Sequence, residues 1–239
     1  MNKFTQTTLT TLMAITFSSV TYSVHADSLT TQISTGVFYA IGQNDTPNAS
    51  NNNLIVVPLN INWQKSKLSA GLSASYLNSE YNGTTNAGIG DTYLTLGYDL
   101  TSKPWLRLQA KYKFATGDQN KGLSTGKDDI FAQINYFQPL STNTSLFATT
   151  GYKFTGKVAG QSMQDTFYAS FGGGYLPTPG LNLGASIDYR QATYTTLDDT
   201  TSLSVFLNKK LTQKLNTSVF TSYDTAKTAS IGLTLSYRL

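Results

Sequence analysis

The 239 residues fit a single all-β domain, and only 13% of them are charged, against the roughly 25% usual in soluble globular domains. Gly, Ser, Thr, Asn and Tyr take up the difference, so the 39% hydrophobic content resembles neither a cytosolic enzyme nor a helical membrane protein. The chain has no cysteine, and its formal charge of +4 is spread along the length without a basic run, which argues against a disulfide scaffold and against a nucleic-acid partner.

The first element is an export signal. Lys3 supplies a positive start, Leu12-Met13-Ala14-Ile15-Thr16-Phe17 opens a short apolar stretch, and Val24-His25-Ala26 places small residues where a signal peptidase reads them. The alternative is an amphipathic N-terminus that stays attached. Residues 1–26 therefore read as a cleaved signal peptide and residues 27–239 as the mature domain. No other segment approaches the run of about 18 apolar residues that a transmembrane helix requires. Cleavage removes the only histidine, His25, and lowers the charge to +3 as Lys3 leaves. Without His or Cys, nucleophilic triads and the usual nitrogen and sulfur ligands of zinc are excluded, so neither a catalytic residue nor a metal or other cofactor is expected.

Downstream, side chains alternate apolar and polar with period two, the signature of strands with one face of each kind. Leu68, Ala70, Leu72, Ala74 and Tyr76 alternate with Ser69, Gly71, Ser73 and Ser75. The same holds for Leu106 to Phe114, Leu146 to Phe154 and Leu181 to Arg190, and most clearly for Ala229 to Leu239. Weaker copies begin near Gln32, Asn53, Asp91, Asp129, Thr166, Thr201 and Asn216, which makes twelve strands in all. The polar face is mostly Ser, Thr, Gly and Asn, as suits a confined lumen. Aromatic residues fall near both strand ends: Tyr39, Tyr76, Tyr112, Phe114, Tyr152, Phe167, Tyr189 and Tyr223 in one belt, Trp63, Tyr98, Tyr136, Tyr175 and Tyr237 in the other. Two aromatic girdles around an apolar band are what a barrel needs at the lipid headgroups.

The connections alternate as well. Long ones span Gln43–Asn52, Asn78–Gly90, Ala115–Lys127, Thr155–Gln164 and Ala192–Asp199. Short ones centre on Ser66, Ser102, the stretch Pro139–Thr144, Thr178 and Gln213. Only the last long-side connection, Thr225-Ala226-Lys227, breaks the rule. The expectation is a transmembrane up-and-down antiparallel β-barrel of about twelve strands in the outer membrane of a Gram-negative cell, with short periplasmic turns and longer outward loops. Its partners would be outer-membrane lipid, the outer-membrane assembly machinery and a small-molecule solute. The chain ends in Leu239 with Tyr237 two before it, a departure from the terminal aromatic that many such barrels present to the assembly machinery.

Two segments carry a family resemblance. Gly88-Ile89-Gly90-Asp91-Thr92-Tyr93-Leu94-Thr95-Leu96-Gly97-Tyr98 resembles the Gly-x-Gly-Asp signature of the family called MetA-pathway of phenol degradation. Lys113-Phe114-Ala115-Thr116-Gly117-Asp118, followed by Gly122-Leu123-Ser124-Thr125-Gly126 and by Asp128 and Asp129, is similar to that family's loop. Ala115 stands where the family usually has proline and Ser124 where it has glycine. The resemblance implies an outer-membrane barrel with a transport role.

A twelve-stranded barrel lies between small filled barrels and wide open porins, so inward residues should govern passage. By alternation the inward charges are Asp99, Arg107, Lys111, Lys113, Lys153, Asp188, Arg190 and Arg238, six basic against two acidic. Such an excess favours anions. The competing reading is that these charges brace the wall in pairs. The turn at Thr101–Pro104 sets Asp99 opposite Arg107, and Asp188 and Arg190 lie two apart on one face. Lys111, Lys113 and Lys153 are then the remaining solute contacts. The loop Ala115–Lys127, with Thr116, Gly117, Gly122 and Gly126 leading to Asp129, either folds inward as a constriction or forms an outer turn in which glycine supplies positive φ. Asp118, Asp128 and Asp129 form a weak candidate for calcium. The expected function is passive diffusion of a small organic solute, aromatic or anionic in character. The alternatives are a non-conducting structural or adhesion barrel and, more remotely, a histidine-free membrane enzyme. The outward loops are short for a receptor-binding surface.

Overall fold

A computed structural model describes residues 28–43, 51–81 and 83–239. The signal stretch 1–26 and the middle of the first long connection lie outside the described residues. The strands are β1 (Thr30–Gln43), β2 (Asn51–Lys65), β3 (Leu68–Tyr81), β4 (Thr84–Ile89) and β5 (Thr92–Ser102). They continue as β6 (Trp105–Phe114), β7 (Asp129–Pro139), β8 (Thr144–Phe154) and β9 (Thr166–Thr178). The last four are β10 (Leu181–Arg190), β11 (Thr200–Lys210), β12 (Leu215–Asp224) and β13 (Thr228–Arg238). Successive strands pair antiparallel, except that β4 and β5 both pair with β3 and not with each other; β13 pairs with β1, and the β2–β3 ladder closes the ring.

Thirteen segments make twelve staves, because β4 and β5 are one stave broken once. β4 pairs with the outer half of β3, from Tyr81↔Thr84 to Tyr76↔Ile89. β5 pairs with its inner half, from Ser73↔Tyr93 to Leu68↔Tyr98. Between them the register slips by one residue, and the Gly90 amide bonds the Ser75 carbonyl at 2.8 Å, so Gly90-Asp91 forms a bulge. This corrects the sequence expectation, which read Asn78–Gly90 as a loop. The segment is the paired outer part of β3 and β4, disguised by its Gly and Asn content, which has low strand propensity.

Burial follows the alternation. On β13, Ala229, Ile231, Leu233, Leu235 and Tyr237 face outward and are exposed, while Thr228, Ser230, Gly232 and Ser236 are buried inside. Leu68, Leu72 and Tyr76 on β3, Leu108 and Phe114 on β6, and Leu183, Ile187 and Tyr189 on β10 do the same. A soluble protein does not leave an unbroken circumference of Leu, Ile, Val and Tyr uncovered. Hydrocarbon covers it here, since a closed ladder leaves no strand edge unpaired in lipid.

The interior also accommodates rings by omitting side chains beneath them. A Cβ added to Gly151 would collide with Tyr168, one on Gly172 with Phe147, one on Gly184 with Phe206, and one on Gly232 with both Phe38 and Phe220. Each aromatic residue lies against the wall over a glycine of an adjacent strand, which keeps the bore from filling.

The outward assignment predicts opposite fates for neighbours. Leu233→Arg exposes a guanidinium to lipid at a cost of about 2–4 kcal/mol and should abolish the heat-modifiable barrel band on gels, whereas Thr234→Arg should assemble normally. Equal tolerance of both would refute this register.

Candidate functional site

The lumen divides into a dry side and a wet side. On the dry side Phe38 and Ala40 of β1, Leu54 and Val56 of β2, Leu77 of β3 and Phe220 of β12 form a buried apolar cluster, with Tyr81 and Phe206 packed against it. Its last member, Leu123, comes from the connection between β6 and β7 and is 0% exposed. That connection turns Leu123 into the barrel, while Gly122 and Gly126 in it take positive φ, so features of both readings of its sequence are present. Sequence reasoning missed the cluster, although a signal was present. Val37-Phe38-Tyr39-Ala40-Ile41 and Leu54-Ile55-Val56-Val57 are apolar on both faces, as in strands covered on both sides.

The two segments of the family resemblance turn out to be two halves of one joint. The Thr116 hydroxyl donates to the Gly90 carbonyl at 3.2 Å and accepts from the Thr92 amide at 3.0 Å. The Gly117 amide donates to Asp91 Oδ1 at 3.1 Å. A Cβ on Gly88 would stand 3.0 Å from Leu123 Cδ1, so that glycine makes room for the inserted leucine. Gly122 and Gly126 carry φ of 67° and 68°, turning the loop down and back out at values that suit glycine.

Lys113 clamps this joint. Its ammonium lies 2.8 Å from Asp129 Oδ2, 3.5 Å from Asp91 Oδ2 and 3.1 Å from Thr125 Oγ1. The free oxygen of each carboxylate holds a loop amide: Gly117 on Asp91, and Gly156 on Asp129 at 2.9 Å. One buried cation thus fixes two outward loops. Lys113 does not line the cavity described below; its structural place is that of a brace.

Asp118, Asp128 and Asp129 do not converge. Asp118 accepts from the Asn120 and Lys121 amides, and Asp128 from the Tyr112 hydroxyl at 2.7 Å and the Ala115 amide at 2.9 Å. Among the described residues no acidic group is arranged to hold a metal ion. The bond from Tyr112, and secondarily that from Ala115, holds the Asp128 carboxyl below its usual range. This pin on the loop base is therefore present above the ordinary carboxylate pKa and is lost only as pH falls through the depressed value.

The wet side is a cavity of about 550 Å³ that runs from the short-turn end to a group of cations beneath the outward loops. Its charged lining is Lys111, Lys153, Arg190, Lys209, Lys210 and Arg238 against Asp188 alone, six basic to one acidic. Lys111 leans over Phe131, with its nitrogen 4.3 Å from the ring centroid, and stands 5.3 Å from that of Tyr93. Lys153 donates to the Thr193 hydroxyl at 2.7 Å. Asp188 accepts from Ser186 and Ser204, both at 3.0 Å. Along the β6–β9 wall the polar groups satisfy one another: Tyr168 donates to Gln133 at 2.9 Å, Gln133 to Asn135 at 2.6 Å, and Thr149 to Asn135 at 3.1 Å.

Two sequence expectations about charge resolve differently. Asp99 sits opposite Arg107, whose Nε bonds Oδ1 and whose Nη2 lies 3.0 Å from Oδ2 and 2.7 Å from Gln64 Oε1. The pair braces the wall and lies outside the cavity lining. The count of six inward bases to two acids omitted Asp91, Asp129 and Asp224, all buried. They stand at or beside the first or last positions of strands, which the count by alternation did not include. The basic excess survives in the cavity because Lys113 takes up two of the omitted acids.

Above the cavity the β8–β9 and β10–β11 connections are bonded together. The Gln164 amide meets the Thr193 carbonyl at 2.9 Å, the Thr195 amide meets the Ser162 carbonyl at 3.0 Å, and Met163 bridges Tyr194.

Lys113→Met leaves Asp91 and Asp129 buried without their cation, a loss of about 3–5 kcal/mol. The urea midpoint should fall and the 115–128 loop should become open to protease, while Lys113→Arg should retain both properties. Gly151→Ala should lower stability by about 1–3 kcal/mol by pushing Tyr168 off Gln133. In a Tyr168→Ala background the same change should cost little, and the double-mutant cycle in thermal melts reads the difference.

No curated protein sequence matches this chain. Solved structures resemble it at low identity. The COG4313 outer membrane channel from Pseudomonas putida F1 is 17% identical with a TM-score of 0.70, covering 92% of this chain and 98% of that one. The CymD monoaromatic hydrocarbon channel is 13% identical with a TM-score of 0.50, covering 89% and 88%. The translocator domain of the autotransporter NalP from Neisseria meningitidis is 11% identical with a TM-score of 0.61, covering 99% and 96%. At these identities the likeness is one of fold, and the three relatives bear different descriptions. The family comparison reaches further: its model matches residues 14–239, and the chain belongs to the family described as "Putative MetA-pathway of phenol degradation".

Proposed function

We propose that residues 1–26 are removed on export and that the barrel lies in the outer membrane as a channel for passive diffusion of small organic solutes, favouring anions. The observation that carries this is the cavity lining of six basic residues to one acidic. A ring of one sign in a low-dielectric wall attracts the opposite sign. Two of the similar structures are described as channels, which supports the reading. In this reading the short turns and the cavity mouth face the periplasm, the apolar band meets outer-membrane lipid, and the assembly machinery takes up the final strand ending at Tyr237 and Leu239.

This reading assigns no catalytic role: the sequence's single histidine, His25, would leave with residues 1–26, and Asp99 is held by Arg107. One observation favours a non-conducting barrel instead, namely Leu123 docked in the apolar cluster.

Purified protein in a planar bilayer should conduct, and under a salt gradient its reversal potential should report anion preference. Lys111→Glu combined with Lys153→Glu should move that potential toward cation preference. Liposome swelling should rank benzoate-like solutes above sugars and amino acids. Absence of both current and swelling would remove the channel reading in favour of the structural one.

A further inference from the structure

The loop end of the cavity joins two chemistries that one class of solute also joins. The β6–β7 and β7–β8 registers place Lys111, Phe131 and Lys153 side by side, so the two lysines flank the ring. Two strand spacings put their Cα atoms about 10 Å apart, within reach of a shared small anion for side chains of this length. Tyr168 stands opposite both Gly151 and Arg190, which brings a second ring and a third cation to the same end. Phe147, 5.8 Å from Phe206 between centroids, continues the aromatic surface toward the cavity mouth.

The charges bear on one another: Lys111 is repelled by Lys153 and Arg190 and attracted by Asp129, and Lys153 is attracted by Asp129 and Asp165 and repelled by Lys113 and Arg190. Like charges gathered in a confined, poorly solvated place raise each other's energy, and a bound anion relieves it. The lysines have aromatic and hydroxyl neighbours, Phe131 and Tyr93 for Lys111 and Thr193 for Lys153. A cavity of 550 Å³ falls in the range that holds a small molecule with most of its surface covered.

We propose that Lys111, Phe131, Lys153 and Tyr168 form a seat for a single-ring aromatic carboxylate. The carboxylate is taken between the two ammonium groups with Arg190 nearby, and the ring lies against Phe131 and Tyr168. A carboxylate alone satisfies the cations and leaves the rings bare. A neutral ring does the reverse. This inference deepens the channel reading and rests on it for the route by which solute arrives.

Binding to the full-length mature protein in detergent, by titration calorimetry, tests it without requiring current. Benzoate should bind; acetate, which has the charge without the ring, and benzyl alcohol, which has the ring without the charge, should each bind at least about tenfold more weakly. Lys153→Gln, which keeps a donor for Thr193, and Lys111→Met should each weaken benzoate about tenfold, whereas Lys67→Met in an exposed turn removes the same charge without effect. Phe131→Leu should erase the preference for benzoate over cyclohexanecarboxylate. Lys153→Arg, which keeps the charge, should retain binding and guards against reading a folding defect as loss of the seat. Benzoate binding no tighter than acetate, or unchanged in Lys153→Gln, overturns the seat. A protein that conducts without binding benzoate loses the seat alone. One that binds benzoate without conducting keeps the seat and loses the channel reading.

Discussion

Hydrocarbon offers no hydrogen bond, and this constraint organises the molecule. Every amide of a strand crossing lipid must find its partner on the next strand, so the sheet has to close, as the β2–β3 ladder does here. Closure gives each stave an outside that only lipid touches and an inside that it does not. Polar groups have one place left to go. The 13% of residues that carry charge are therefore concentrated in their effect: the few inside a narrow bore act on one another and on whatever enters.

The interior handles those groups in two ways. Some are neutralised where they stand. Arg107 and Asp99, with Gln64, form a closed set on the wall, and Lys113 between Asp91 and Asp129 converts two buried acids into anchors for loop amides. Such sets brace the fold and contribute little field to the bore. Others, Lys111, Lys153 and Arg190, line the cavity, where Asp188 is the one acid among the lining residues. The opposite side holds Leu123 among Phe38, Leu54 and Leu77. The division follows the sheet itself: the strands that read as apolar on both faces are those that carry the dry half.

Much of this was legible in the sequence, for a definite reason. A side chain in a lone crossing strand has two possible surroundings, so position parity alone assigns Leu233 to lipid and Thr234 to the lumen. The same rule set Asp99 across from Arg107. It failed where a residue's surroundings depend on something other than its own strand. Asp91 sits in a bulge, which breaks parity, and Asp129 and Asp224 stand at the first and last positions of their strands, where alternation has no neighbour on one side to fix it. Leu123 lies in a connection, where no period applies, and its destination is set by an apolar patch contributed by β1, β2 and β3. The Gly-x-Gly-Asp and Thr-Gly-Asp segments carry a family resemblance in the sequence, but their role is visible only in the fold. That role is their contact with each other, across 26 residues of chain between Asp91 and Gly117, which spacing along the chain does not reveal.

The dry half has a consequence for the wet half. Field lines from a cation spread through water and are confined by material of low dielectric. An apolar cluster filling one side of the bore acts as a second wall, closer than the far strands would be, and excludes the water that would screen Lys111, Lys153 and Arg190. In the proposed channel the inserted loop therefore acts beyond narrowing the passage: it raises the charge felt along the remaining path. Lys113 couples these effects, because the same ammonium that seats the loop through Asp91 lies two residues along β6 from Lys111 and removes two acids that would oppose it. In the proposed channel, constriction and anion preference thus share one clamp, and a change at Lys113 disturbs both.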